Sequence, residues 1–277
     1  MMSHLTLIFF LFYRVTGQSM SCFMCGGVQQ GFYPFFQSTL QESIERMLFQ
    51  DQSCWILFVS SYTPTLSGLI NASCPTTLPN SQVLAVTLPV ESGLPGTAQE
   101  IDCVVNKVGA SNVKKLLEED ATMKNVIDGL EESSFVHFAC HGVQDTTSPN
   151  ESALLLAKSS RLTLSHLNRL SLPHAQLAFL SACQTATGDE MLVREAVHLA
   201  AGMMSAGYRG VIATMWLITD SDAPLVADEV YGQLFKFSEP DPTKAAHALD
   251  NAVKKLIKDS NGTKSFLEWV PFIHIGI

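Results

Sequence analysis

Two stretches constrain this chain more than any others: Phe135-Val-His-Phe-Ala-Cys-His-Gly142 and Leu177-Ala-Phe-Leu-Ser-Ala-Cys-Gln-Thr-Ala186. Each is an apolar run of strand length that stops at a reactive side chain, His141 in the first and Cys183 in the second. Strands of a parallel sheet are covered on both faces and therefore read as continuous apolar runs rather than alternating ones. Open α/β sheets carry their sites just beyond the carboxyl ends of such strands. If the two strands are neighbours, His141 and Cys183 face each other across that edge, 183 − 141 = 42 residues apart in the chain.

From about residue 80 onward the sequence supports such a sheet. Val83–Leu88 reads as a buried strand, and a helix follows to about Val108, with Thr97 as N-cap and Glu100 completing a capping box. A strand at Val113–Leu117 and a helix over Thr122–Leu130 precede the His141 strand. Beyond it lie a short strand at Ala153–Ala157, a helix over Ser165–Leu170 and the Cys183 strand, Gln176–Ala182. The remainder reads as a helix over Val193–Ala206, a strand over Gly210–Trp216, and amphipathic helices over Asp222–Phe237 and Thr243–Lys258. Strands alternating with helices predict an α/β fold, its mostly parallel central sheet covered on both faces. Before residue 50 no strand or helical period is sustained. There the sequence suggests only a short helix over Gln41–Phe49, followed by a strand over Trp55–Val59.

Composition narrows the function classes. Of 277 residues 47% are apolar and 16% charged, enough to fill a large core and unlike a disordered acidic tail. A net charge of −9 with no basic stripe argues against nucleic acid as the partner; Lys114-Lys115 and Lys254-Lys255 fall on amphipathic stretches and read as solvated faces. Seven scattered cysteines indicate free thiols in a reducing compartment, hence a cytoplasmic location. Cys22 and Cys25 have the C-x-x-C form, but no second pair follows at zinc spacing. The run Leu5–Tyr13 resembles a signal-peptide core, and sequons at Asn71, Asn150 and Asn261 fit secretion. Against secretion, only His4 precedes that run as a basic residue; the run is also too short to span a bilayer, and no membrane partner is expected.

The chemistry concentrates on the two strand ends. A thiol needs a lowered pKa or a base within reach, because the thiolate is the nucleophile, and an imidazole supplies that base near neutral pH. Gly142 removes side-chain bulk next to His141, and the backbone amides of Gly142 and Cys183 are candidate donors to an oxyanion. Taken alone, Cys183 reads more readily as core, since cysteine is among the most buried residue types. Strand parity sets Cys140 on the opposite face from His141, which makes it core; His137, four residues before His141, falls on the same face by parity but reads as a packed histidine. A zinc site from His137, Cys140 and His141 is disfavoured for the same reason, so neither metal nor cofactor is expected. Absence of a glycine-rich phosphate loop and of G-x-S-x-G argues against nucleotide binding and serine hydrolysis.

A series of motifs in order, Phe138-Ala-Cys-His-Gly142, Leu180-Ser-Ala-Cys-Gln-Thr-Ala186, Glu195-Ala-Val-His-Leu-Ala-Ala-Gly202 and Gly210-Val-Ile-Ala-Thr-Met-Trp216, closely resembles the CHAT domain. That is the caspase-like domain often associated with tetratricopeptide repeats. Ser60-Ser-Tyr-Thr-Pro-Thr-Leu-Ser67 resembles the segment feeding its core, and Trp269-Val-Pro-Phe-Ile273 its last strand. The resemblance implies a caspase-like three-layer α/β/α sandwich over residues 55–277, with residues 1–54 an atypical N-terminal segment, truncated or disordered. It also implies a cysteine endopeptidase with His141 and Cys183 as its dyad, cleaving after a basic residue. Asp220, or failing that Asp222, would be the acidic group of the S1 pocket, with helix N-capping as the competing role for both. Partners would then be a protein or peptide substrate and a tetratricopeptide-repeat or other regulatory partner. Two rival readings remain: a catalytically silent interaction domain that keeps the dyad, and a small-molecule-binding α/β domain with Cys183 buried.

Overall fold

The computed structural model describes residues 6–14, 22–28, 58–63, 81–88, 96–143, 145, 148–181, 183–184, 193–215, 218–237, 239–260 and 266–276. The apolar runs become interior strands of a sheet that has nine strands among these residues. In chain order the elements are β1 (Thr6–Arg14), β2 (Cys22–Val28), β3 (Phe58–Thr63), β4 (Val83–Thr87), α1 (Gly96–Val108), β5 (Val113–Leu117) and α2 (Met123–Glu132). There follow β6 (Phe135–Ala139), β7 (His141–Val143), β8 (Ala153–Leu155), β9 (Arg161–Thr163), α3 (Leu164–Leu167), β10 (Leu177–Leu180) and β11 (Cys183–Gln184). The chain continues with α4 (Val193–Ala206), β12 (Gly210–Thr214), α5 (Asp222–Leu234), α6 (Ala245–Asp259), α7 (Phe266–Trp269) and β13 (Phe272–Gly276). Strand order in the large sheet is β2-β1-β3-β13-β12-β10-β6-β4-β5, and β5, β4, β6, β10 and β12 are all parallel. A second, four-stranded sheet has the order β11-β7-β8-β9.

Each interior strand is buried along its whole length because helices cover both faces. On one face Leu84, Val136, Phe138, Ala178 and Leu180 pack with Val126 and Leu130 of α2 and with Ala200 and Met203 of α4. On the other Val83, Phe135, Phe179 and Ile212 pack with Val104 of α1, Val230 and Tyr231 of α5, and Leu249 and Leu256 of α6. The apolar positions of α6 (Ala245, Ala248, Leu249, Ala252, Leu256) recur at helical spacing, so one stripe of the helix meets the sheet. Three layers result, α1/α5/α6 over the sheet over α2/α4, as the sequence implies.

Several boundaries differ from the sequence reading. The last strand begins at Phe272, beyond the expected Trp269, which instead closes the one-turn helix α7. Pro271 cannot donate to a ladder, and its carbonyl accepts from the Met215 amide at 2.9 Å. Strand β9 is too short, at three residues, to leave a period. Of the run Leu5–Tyr13, read as resembling a signal-peptide core, residues 6–13 fall on β1, which pairs antiparallel with β2 and β3 and extends the sheet past β13, and Leu5 lies outside the described residues. The helix expected over 41–49 lies outside the described residues. Lys114, Lys254 and Lys255 pair with Glu132, Asp250 and Glu229, so the two lysine pairs form no basic stripe. Among the described residues no helix is long and apolar enough to cross a membrane.

One row of the large sheet carries polar groups into the core. Strand register aligns Ala85, His137, Phe179, Ile212 and His274, so two histidines lie in a row otherwise apolar. His137 is fully buried, its ring centroid 4.8 Å from that of Phe179 and 5.6 Å from that of Tyr231. Its Nε2 lies 3.1 Å from Oε1 of the equally buried Glu100 on α1. That distance suits an ion pair, yet the two groups are not aligned for a hydrogen bond. At the other end of the row, the Ser61 hydroxyl donates to the Gly276 carbonyl at 2.9 Å. Its oxygen is therefore left to accept from Nδ1 of His274 at 2.8 Å. Nε2 of His274 has no hydrogen-bond partner.

Two stability predictions follow from this row. Burial, reinforced by His247, holds His274 down at about 4 from its ordinary 6.5. Because the unfolded chain takes up that proton first, stability is full above pH 6.5 and is lost as pH falls from 6.5 toward 4. Urea unfolding of the wild type should therefore lose about 3 kcal/mol more between pH 7 and pH 4 than His274→Gln does. Equal losses in both proteins would refute this assignment. For the other pair, Glu100→Ala alone should cost about 3 kcal/mol, since it leaves a buried imidazole without its carboxylate. Glu100→Leu combined with His137→Phe should recover most of that loss.

Candidate active site

The central sheet sets the geometry of the site. β10 pairs with β6 in parallel from Leu177↔Phe135 to Leu180↔Phe138, a constant offset of 177 − 135 = 42 residues. The Ser181 amide extends that ladder by one step, donating to the Phe138 carbonyl at 2.9 Å. Both chains then leave the large sheet and pair again as β11 and β7, with Cys183 in register with His141 and Gln184 with Gly142. The offset there is again 183 − 141 = 42, so the core register carries over into the small sheet. Neighbouring strands lie about 4.8 Å apart, so the backbone brings the Cys183 and His141 positions side by side at the carboxyl edge. His141 is buried, 8% exposed. Antiparallel pairing with β8 (Gly142↔Leu154) holds β7 from its other side.

The break between β6 and β7 falls at Cys140, which the sequence reads as part of one continuous strand. Cys140 is fully buried among Val136, Phe138 and Leu180, a core residue as expected. The bend there moves His141 into another sheet, so strand parity cannot relate His141 to His137 across it. His137 is the packed histidine, committed to Glu100 and the ring of Tyr231. Among the described residues no cluster of three or more acidic, histidine or cysteine side chains could hold a metal ion.

A small pocket is lined by Gly96, Thr97, Glu100, Ser181, Ile218, Asp220 and Ala223, Ser181 standing two residues before Cys183. It gathers the start of α1, the residue that follows β10, and the turn leading into α5. Asp220 caps a helix, but not the one that follows it. Its Oδ2 accepts from the amide of Gly96, the first residue of α1, at 3.4 Å. A positive helix end and a carboxylate favour one another there. The approach is close: a Cβ on residue 96 would sit 2.6 Å from the Asp220 carbonyl oxygen. Asp222 does not line the pocket; it is buried in the first turn of α5, with the Ser221 hydroxyl 3.4 Å from its Oδ1.

Glu100 is the pocket residue that sequence reasoning misassigned. Helix α1 begins at Gly96, so Thr97 sits inside the first turn rather than at the N-cap. Glu100 therefore does not fold back as a capping box, and its carboxylate turns toward His137. The sequence holds the signal for this. Residue 100 falls on the same helical stripe as Thr97, Ile101, Val104 and Val108, all buried, and a carboxylate on an apolar stripe requires a buried partner. It also raises the Tyr231 phenol, which burial already holds well above its ordinary value.

Comparison with known proteins agrees with this architecture. Among solved structures, a complex of the pro- and mature domains of gingipain R from Porphyromonas gingivalis superposes with a TM-score of 0.51 and 17% identity, over 76% of this chain and 51% of that one. A second structure, described as the Arg-specific cysteine proteinase gingipain R, matches at 0.49 and 17%, over 76% of this chain and 50% of that one. The matches thus span about half the length of those proteins, and at 17% identity the first of them shows the fold alone, a caspase-like one. No curated protein gives a significant sequence match. The model of the CHAT domain matches residues 45–277, most of the sequence, and the chain belongs to that family.

Proposed function

We propose that this protein is a caspase-like cysteine endopeptidase in which Cys183 is the nucleophile and His141 its base. The observation that carries the reading is the parallel register Cys183↔His141 at the carboxyl edge, reached with the same 42-residue offset that governs the core strands. In the first step His141 takes the thiol proton, and the thiolate adds to the scissile carbonyl. Backbone amides of Gly142 and Cys183 are the proposed donors to the oxyanion. Collapse of that intermediate breaks the C–N bond, the imidazolium gives its proton to the leaving amine, and a thioester remains. Water activated by His141 then releases the acid and restores the thiol.

The proposed substrate is a protein or peptide with a basic residue before the scissile bond. Asp220 is the S1 carboxylate in this reading, because it lines the pocket beside Ser181, two residues before Cys183. Asp222, buried in α5, drops to a structural role. A repeat-containing regulatory partner is proposed on family grounds, and a reducing, cytoplasmic setting on the thiols of Cys103 and Cys140.

Peptidyl acyloxymethyl ketones bearing lysine, arginine, aspartate or leucine at P1 test the dyad. Cys183 should be captured covalently, as read by peptide mapping, and His141→Ala should slow capture by roughly 100-fold or more, the usual worth of a positioned base. A folded protein that resists every reagent would support the silent interaction domain instead.

A further inference from the structure

The pocket that Ser181 helps to line has three properties that together select a ligand. First, it holds two carboxylates, Asp220 at its rim and Glu100 at its floor. Second, the Glu100 side chain is 2% exposed, and its Oε1 accepts no hydrogen bond. A buried carboxylate left in that state is costly, and a cation entering the pocket would relieve it. His137 lies behind this oxygen at 3.1 Å, but too far off line to donate to it. Third, the pocket has space for about one water molecule.

We propose that this pocket receives a primary ammonium, the lysine side chain of a substrate, and that Glu100 is the residue that selects it. This rests on the peptidase reading above. An ammonium is a compact point charge with three donors, close in size to a water. A guanidinium is a flat fork with five donors that needs a broader slot. Glu100 and Asp220 bring carboxylates to the space and Ser181 is a further polar residue of its lining, while Ile218 and Ala223 offer an apolar wall to the lysine stem. One oxygen of Asp220 is already engaged by the Gly96 amide. Glu100 keeps Oε1 without a hydrogen bond although His137 lies 3.1 Å from it, and the specificity should follow that oxygen.

The test uses the full chain and matched peptidyl ketones with lysine, arginine or norleucine at P1, norleucine being an isostere without the ammonium. Lysine should be captured fastest, roughly tenfold or more ahead of norleucine, the usual worth of hydrogen bonds to a charged group. Glu100→Gln should bring the lysine-to-norleucine ratio down toward one, whereas a merely structural role would slow both reagents alike and leave the ratio where it was. Asp220→Asn provides a second variant should Glu100→Gln not fold, and should reduce the same ratio. Arginine preferred over lysine, or a lysine-to-norleucine ratio unmoved by Glu100→Gln, would overturn the proposal. If no ketone reacts while iodoacetamide still alkylates Cys183, the peptidase reading fails. The pocket is then tested by calorimetric titration of n-butylammonium into the Cys183→Ala chain. Binding lost in Glu100→Gln keeps the ammonium site, and absence of binding removes it.

Discussion

The parallel register of β10 on β6 is the constraint on which the rest of the structure depends. Side chains alternate strictly along a strand, so a slip of one residue would exchange the two faces of β10. Phe179 would leave the α1/α5/α6 layer, and Ala178 and Leu180 would leave the α2/α4 layer. Both layers are closely packed, so such a slip would open voids on one side and force clashes on the other. Core packing therefore pins the offset at 42, and the same offset reappears where Cys183 meets His141. No contact between the two reactive residues is needed to place them together; the apolar rows behind them do it.

The price of a sheet covered on both faces is that any polar group within it must find a partner at depth. His274 does so with Ser61, from the neighbouring strand β3, and burial, with His247 adding to it, holds its pKa down. His137 does so with Glu100, delivered from the helix above. The two solutions behave differently. The first closes within the sheet and links the C-terminal strand to β3, so it serves stability. The second crosses from the sheet to a helix whose first turn forms one wall of the pocket, so a buried pair sits directly beneath a candidate binding site.

Much of this was legible in the sequence. The runs at Phe135–Ala139, Leu177–Leu180 and Gly210–Thr214 are apolar throughout because they are covered on both faces, and α4 falls on Val193–Ala206 as its composition predicts. The small sheet was not legible, for a physical reason. Strands of two or three residues, such as β11 and β9, carry no period of their own and form only where the large sheet delivers their chains. The bend at Cys140 was hidden too, since a buried cysteine continues an apolar run without marking a break. The pairing of Glu100 with His137 spans a helix and a strand distant in sequence. Local rules gave Glu100 a capping role that the helix start at Gly96 removes.

The pocket also shows why the C-terminal strand bears on a site it never touches. Asp220 lies in the turn between β12 and α5, and β12 ends against the segment that opens β13, where the Met215 amide donates to the Pro271 carbonyl. Pairing of β12 with β13 from Thr214↔Phe272 to Gly210↔Gly276 fixes the height at which that turn leaves the sheet. Only from there can the Asp220 carboxylate reach the amide of Gly96, and only a residue without a Cβ at position 96 allows the two backbones so close. The rim of the pocket is thus held by the last strand, its floor by a buried histidine of β6, and its side by the chain that leads to Cys183. The shape of the pocket is coupled to the order of the sheet rather than to one loop, so it should last for as long as the sheet keeps its register.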